Sequence, residues 1–301
     1  MIKPRALVPG DKVALITPAG PVDEERMQKA EEIIRRLGLI PVRGAHVLKK
    51  RGYLAGTDEE RLIDLDWAMR DPEVEGVFAL RGGYGTTRLL ARVDSIGWLP
   101  KVVVGYSDLT ALHLYLYRLG LVSFHGPMPA SGIWEAYTYG QFQKVLTVKH
   151  PLGALPLSQK PISLRDGVAE GRLLGGNLTL LSDAIGTAWE PQINGHILLM
   201  EEVSEPPYAV DRHLQKLKNA GLLQRAAGIL LGEMVDCQPE SKEGDLTLQE
   251  VLEDHLLPLN VPILSSLPFG HGIDRATLPL GVKVQMNATD GQVIFLEGAL
   301  Q

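Results

Sequence analysis

Short aliphatic runs, each ended by Gly or Pro and each followed by a helical pattern, recur through the first 125 residues and leave this chain few folds to choose from. Lys12-Val-Ala-Leu-Ile-Thr17 stops at Pro18-Ala-Gly-Pro21. Asp23 can then cap a helix whose Met27, Ala30, Ile33, Ile34 and Leu37 share one face, and Gly38 ends it. Leu39-Ile-Pro-Val42 reads as a second strand, and a helix starting near Asp58 buries Leu62, Leu65, Trp67 and Met69. Gly76-Val-Phe-Ala-Leu80, Val102 to Val104 and Leu121 to Phe124 supply further strands, with helical stretches between them. Strands alternating with helices predict a mainly parallel sheet covered on both faces. Ligands of such sheets bind outside the carboxyl ends of the strands.

The stretch Val102-Val-Val-Gly105-Tyr-Ser107-Asp108-Leu109 passes from strand to helix over very few residues. A serine on such a turn projects its hydroxyl from the strand end, beside the unpaired N–H groups of a helix N-terminus. The usual elbow is G-x-S-x-G, and Leu109 stands at the second glycine. The same residues also suit a plain helix cap by Ser107 or Asp108. Arg81-Gly82-Gly83-Tyr84-Gly85 follows the preceding strand directly. Its amides can cradle a phosphate or stabilise an oxyanion, and the Arg81 fork suits a substrate carboxylate. It matches neither common nucleotide fingerprint.

A serine nucleophile needs a base and a carboxylate that orients the base. His271 lies between Gly270 and Gly272, which lets another segment approach its backbone closely. His125, at a strand end, competes for the role, whereas His113 on the helix after Ser107 reads as a core or surface residue. Glu201 and Glu202 both follow the strand His196–Met200 and point to opposite sides of it, so either can serve as the carboxylate.

After residue 150 the character changes. Pro151, Pro156 and Pro161 interrupt a stretch without periodic pattern, giving domains at 1–150 and 172–301 with a linker at 151–171. The second part contains strands at Gly228–Gly232 and Pro262–Ser265, a helix at Ala209–Ala220 and another at Leu246–Leu257. A hairpin closes it around Asp290-Gly291. A net charge of −6 argues against nucleic-acid or anionic-membrane partners. The lone Cys237 excludes an internal disulfide and fits a reducing compartment. Without a secretory pattern or a long apolar run, a cytoplasmic location is expected.

Taken together, Arg81-Gly-Gly-Tyr-Gly, Gly105-Tyr-Ser-Asp-Leu-Thr, Leu199-Met-Glu-Glu-Val-Ser-Glu205, Gly270-His-Gly with Thr277-Leu-Pro-Leu-Gly281, and Gly175-Gly-Asn-Leu resemble the LD-carboxypeptidases. That family is also called the muramoyltetrapeptide carboxypeptidases and includes the microcin C immunity peptidases. The resemblance implies an N-terminal α/β domain like that of class I glutamine amidotransferases, a smaller C-terminal α/β domain and a homodimer. It implies a triad of Ser107, Glu201 and His271, with the N–H groups of Gly83 and Asp108 as the oxyanion hole. Arg81 and Tyr84 are the expected substrate contacts, and no metal or organic cofactor is called for. The implied substrate is a small peptide ending in a D-amino acid.

Two other readings stand beside it. One is cleavage of a peptidyl-nucleotide amide, for which Trp134, Tyr137 or Tyr139 would stack a base; the other is a non-catalytic phosphate or nucleotide binder using the Arg81 loop. A glutamine amidotransferase would want a cysteine at position 107.

Overall fold

The computed structural model describes residues 1–239 and 245–301. The elements run β1 (Lys12–Ile16), α1 (Glu24–Arg36), β2 (Ile40–Arg43), α2 (Asp58–Arg70), β3 (Val74–Ala79), α3 (Thr86–Leu90), β4 (Val102–Gly105), α4 (Thr110–Arg118), β5 (Ser123–His125) and α5 (Ala136–Thr147). They continue as β6 (Gly153–Ala154), β7 (Ile162–Arg165), β8 (Val168–Asn177), α6 (Leu178–Asp183), β9 (Ile197–Val203), α7 (Pro207–Asn219), β10 (Gly228–Val235), α8 (Leu248–Leu256) and β11 (Ile263–Ser265). Last come β12 (Leu278–Leu280), β13 (Lys283–Asn287) and β14 (Gln292–Phe295). Among the described residues, no helix is long and apolar enough to cross a membrane.

The chain divides into two compact units. The first holds residues 1–150, 276–281 and 298–301. Its sheet has the order β12-β5-β4-β3-β1-β2, parallel throughout except that β12 pairs antiparallel with β5. The helices start as the sequence predicts. Asp23 accepts the Arg26 N–H at 2.8 Å to cap α1, and Thr57 and Glu60 form a reciprocal capping box on α2. On α2 the buried face differs from expectation. Leu62 and Trp67 are only half-buried, while Arg61 and Asp64 are buried among polar partners.

The second unit holds residues 151–275 and 282–297. Its eight-stranded sheet runs β6-β14-β13-β8-β9-β10-β11-β7, with a parallel centre of β8, β9, β10 and β11. The expected linker at 151–171 is instead part of this sheet, since β6, β7 and the start of β8 all lie within it. Both β6 and β7 are edge strands, where proline between strands disturbs no internal ladder. The single boundary expected near 171 fails for the same chain at its other end. Residues 276–281 return to the first sheet as β12, so 172–301 is not one continuous domain.

The centre of the second sheet is packed so closely that β8 needs glycine. At Gly175, φ is +142°, and a Cβ would lie 2.0 Å from the Leu199 carbonyl oxygen on β9. Backbone cannot step aside there without breaking the ladder. Gly175→Ala is expected to destabilise the fold by ~3 kcal/mol, a Tm loss of roughly 10 °C, measurable by calorimetry.

Candidate active site

In the first sheet the strand order reverses between β1 and β3, and the loops leaving those strands meet at the crevice this creates. Gly20 donates its N–H to the Gly82 carbonyl at 3.1 Å, and any Cβ on Gly20 would press on that oxygen. Arg81 is half-buried beside it and donates from Nη1 to the Pro21 carbonyl at 3.3 Å. Arg61, with its side chain 1% exposed, pins the same region from below. Its Nη1 donates to the carbonyls of Pro18 and Gly85, and its Nη2 to Asp58 Oδ1 at 2.5 Å. A buried guanidinium thereby ties the first loop to the glycine-rich one. Gly83 is exposed with φ +116°, and the half-exposed Tyr84 ring lies 6.0 Å from that of Tyr53.

Ser107 follows β4 at φ +61°, a left-handed conformation that costs a non-glycine residue ~1–3 kcal/mol. It caps nothing, because neither the short 3₁₀ turn Ser107–Leu109 nor α4 has a side-chain cap. The departure from the usual elbow has a physical reason. Leu109 is buried against Gly105, where a Cβ would sit 2.7 Å from the Leu109 Cγ, so leucine fills the space over the first glycine. Gly82 approaches from β3's side, and a Cβ there would lie 2.9 Å from Ser107 Oγ. Only glycine at 82 leaves the hydroxyl room.

The Asp108 side chain, 1% exposed, turns away from its own helix and accepts the Thr86 N–H of α3 at 2.8 Å. Burial pushes its carboxyl pKa up, while Thr86, the Gly85 N–H and Arg61 oppose that shift. The serine turn and the glycine-rich loop are therefore stitched together by one carboxylate. Asp108→Ala leaves the buried Thr86 N–H unpaired and is expected to cost ~1–3 kcal/mol in denaturant unfolding. Asp108→Asn, which keeps an acceptor, is expected to cost less.

His113 is fully buried and held near neutrality of charge, since burial lowers its pKa to about 4. Its Nε2–H donates to the Gly105 carbonyl at 2.8 Å, and Nδ1 accepts from Ser123 Oγ at 2.9 Å. It fixes the end of β4 just ahead of the serine. His125 is also buried, edge-on to Tyr106 at 6.0 Å.

In the second unit β9 delivers both acidic residues at once, and strand alternation separates them. Glu201, 0% exposed, meets His271 with 2.7 Å between Oε2 and Nδ1. An ionised carboxylate only accepts, so Nδ1 carries the proton of this contact. Burial raises the Glu201 pKa; the contact with His271 is the largest influence opposing it. Gly270 is required here as well, with φ +103° and Glu201 Oε2 2.8 Å from where a Cβ would stand.

Glu202 faces the other way. Its Oε1 accepts from Asn177 Nδ2 at 2.7 Å, and Oε2 accepts from Thr179 N–H and Oγ1–H at 2.8 and 2.7 Å. Thr179 Oγ1 in turn accepts from His213 Nε2 at 3.2 Å. The geometry thus pairs His271 with Glu201 and gives Glu202 a structural network of its own.

Arg61, the Asp108 side chain and Glu202's network were not legible as functional positions, although Arg61 on the apolar side of α2 was the available signal. Of the aromatic residues considered for base stacking, Trp134 and Tyr139 engage other partners. Trp134 packs edge-on against Phe142 at 5.0 Å, and Tyr139 donates from its hydroxyl to the Arg36 carbonyl. Cys237 is buried in the second unit with its thiol pKa pushed up to about 11. Among the described residues, no group of three His, Cys, Asp or Glu side chains is arranged to hold a metal ion.

Comparison with known proteins bears on both units. Residues 13–126 match the LD-carboxypeptidase N-terminal domain, and residues 170–286 match the LD-carboxypeptidase C-terminal domain. A probable murein peptide carboxypeptidase of Bacillus subtilis (strain 168) is 38% identical, over 99% of this chain and 97% of the relative. The crystal structure of muramoyltetrapeptide carboxypeptidase from Oxalobacter formigenes superposes with a TM-score of 0.82 at 33% identity, covering 94% of this chain and 97% of that one. Microcin C7 self-immunity protein MccF in complex with aspartyl sulfamoyl adenosine gives a TM-score of 0.91 at 27% identity, with both chains fully covered. With both of its domains matched and relatives aligned nearly end to end, this chain belongs to the LD-carboxypeptidase family of serine peptidases.

Proposed function

We propose that this chain removes the C-terminal D-alanine from murein tetrapeptide by cleaving an L,D amide, as part of cell-wall peptide recycling in the cytoplasm. The observation that carries this reading is the buried Glu201–His271 pair at 2.7 Å, which holds an imidazole with its Nδ1 occupied. The murein peptide carboxypeptidase and muramoyltetrapeptide carboxypeptidase relatives support the substrate class.

In the proposed mechanism His271 Nε2 takes the Ser107 proton while Oγ attacks the scissile carbonyl carbon. The oxyanion accepts from the Gly83 and Asp108 N–H groups, each such donor being worth ~3 kcal/mol. As the tetrahedral intermediate collapses, the C–N bond breaks and His271 gives its proton to the leaving amine of D-alanine. Water, deprotonated by His271, then hydrolyses the acyl–Ser107 ester and releases the tripeptide. Glu201 keeps the imidazole tautomer and stabilises the imidazolium. Arg81 takes the terminal carboxylate of the substrate, Tyr84 covers it, and the enzyme works as a homodimer.

The test is incubation with L-Ala-γ-D-Glu-meso-diaminopimelate-D-Ala and detection of D-alanine by mass spectrometry. Release supports the reading. Absence of release alongside hydrolysis of an aspartyl sulfamoyl adenosine, the ligand seen in MccF, would replace it with the peptidyl-nucleotide reading.

A further inference from the structure

The strand β10 is irregular at one place, and that place faces the proposed base. Leu231 pairs with Met200 and Met234 with Glu202, so Gly232 and Glu233 together oppose Glu201 across a bulge. Bulges of this kind recur beside active sites because they re-aim a side chain. Here the bulge seats the segment that carries His271. Glu233 donates its N–H to the Phe269 carbonyl at 3.1 Å, and a Cβ on Gly232 would sit 2.4 Å from the Phe269 ring.

The Glu233 carboxylate ends against Gly272, where a Cβ would lie 1.1 Å from Oε2 and 2.0 Å from Cδ. Burial, then Asp274, push the Glu233 carboxyl pKa up, whereas Arg275 and the Gly272 backbone favour its charged form. Oε2 has no hydrogen-bond partner among the described residues. His271 is therefore held from two sides. Glu201 grips its ring and lies against Gly270, and Glu233 lies against the backbone just after it.

We infer that Glu233 is a positioning residue for peptide hydrolysis: by fixing Gly272 it sets the backbone of the His271 segment and so the direction in which Nε2 points. The inference rests on the function proposed above, which makes His271 the base. A misplacement of about 1 Å at such a group costs roughly 10²-fold in rate. Glu233→Gln keeps the shape and a polar oxygen against Gly272, and Glu233→Leu keeps most of the volume without one. Glu233→Ala serves in place of the leucine variant should that one not fold.

The full-length variants are compared by the imidazole 15N signals of His271 without substrate, and by kcat and KM for D-alanine release. The leucine variant is expected to move the His271 signals and lower kcat by about 100-fold, with KM within about threefold. The glutamine variant is expected to keep the wild-type signals and recover at least about tenfold of that loss. Indistinguishable spectra and rates for the glutamine and leucine variants would overturn the inference, because Glu233 would then merely fill space. Should the wild type release no D-alanine, the proposed function fails, while the spectra, which need no substrate, still decide what Glu233 does.

Discussion

Ser107→Ala is expected to lower kcat for D-alanine release by about 10⁶-fold, the loss typical of removing the nucleophile from a serine triad. That is ~8 kcal/mol of transition-state stabilisation, from a change that removes one oxygen. Loss of structure does not account for it, since the Cβ remains and alanine suffers the same φ of +61°. Thermal melting of the alanine variant should match the wild type. Ser107→Gly gives a sharper contrast. It removes the nucleophile equally but also the left-handed strain, so it should melt higher than either, by an amount corresponding to ~1 kcal/mol. An inactive, more stable glycine variant would mean that strain at 107 is maintained for chemistry. Activity surviving in the alanine variant would remove Ser107 from the mechanism.

The second large effect is expected at Glu201. Glu201→Gln preserves the shape but offers His271 an amide that can stabilise the wrong tautomer, and kcat should fall by ~10⁴-fold. Stability should move the other way. Burial raises the folded-state pKa of Glu201 above its unfolded value, so the ionised side chain weighs against the fold at neutral pH. Its stabilising share is complete below the unfolded value near ~4 and is lost as pH rises through the folded one. The glutamine variant should therefore melt above the wild type at pH 8, with the gap closing toward pH 4. A variant that melts lower at pH 8 would show that the charged contact with His271 outweighs burial.

Much of this was readable from residue order. The alternation of strands and helices, the Asp23 cap and the strand-to-helix turn at Ser107 follow from local rules, and the structure keeps all three. The choice between Glu201 and Glu202 could not be read, because alternation says only that the two diverge. It took Asn177 and Thr179, brought alongside by β8 and α6, to claim Glu202. The linker expected at 151–171 failed for a related reason. Edge strands are short, carry one-sided pairing and tolerate proline between them, so nothing in Gly153–Ala154 or Ile162–Arg165 announces a sheet. On α2 the apolar pattern misled, since Arg61 outcompetes Leu62 and Trp67 for the interior by satisfying two loop carbonyls. Glu233 escaped notice because its importance comes from a bulge, which no periodicity reveals.

The return of β12 to the first sheet bears on how the protein is made. A ribosome delivers the turn bearing Ser107 well before Leu278–Leu280, so the edge of its sheet beside β5 stays open until that strand emerges. By then the strands bearing Glu201 and the segment bearing His271 have already been synthesised. A nascent chain thus carries Ser107 on an unfinished sheet until β12 is made, and a fragment stopping at residue 150 should expose the β5 edge and aggregate.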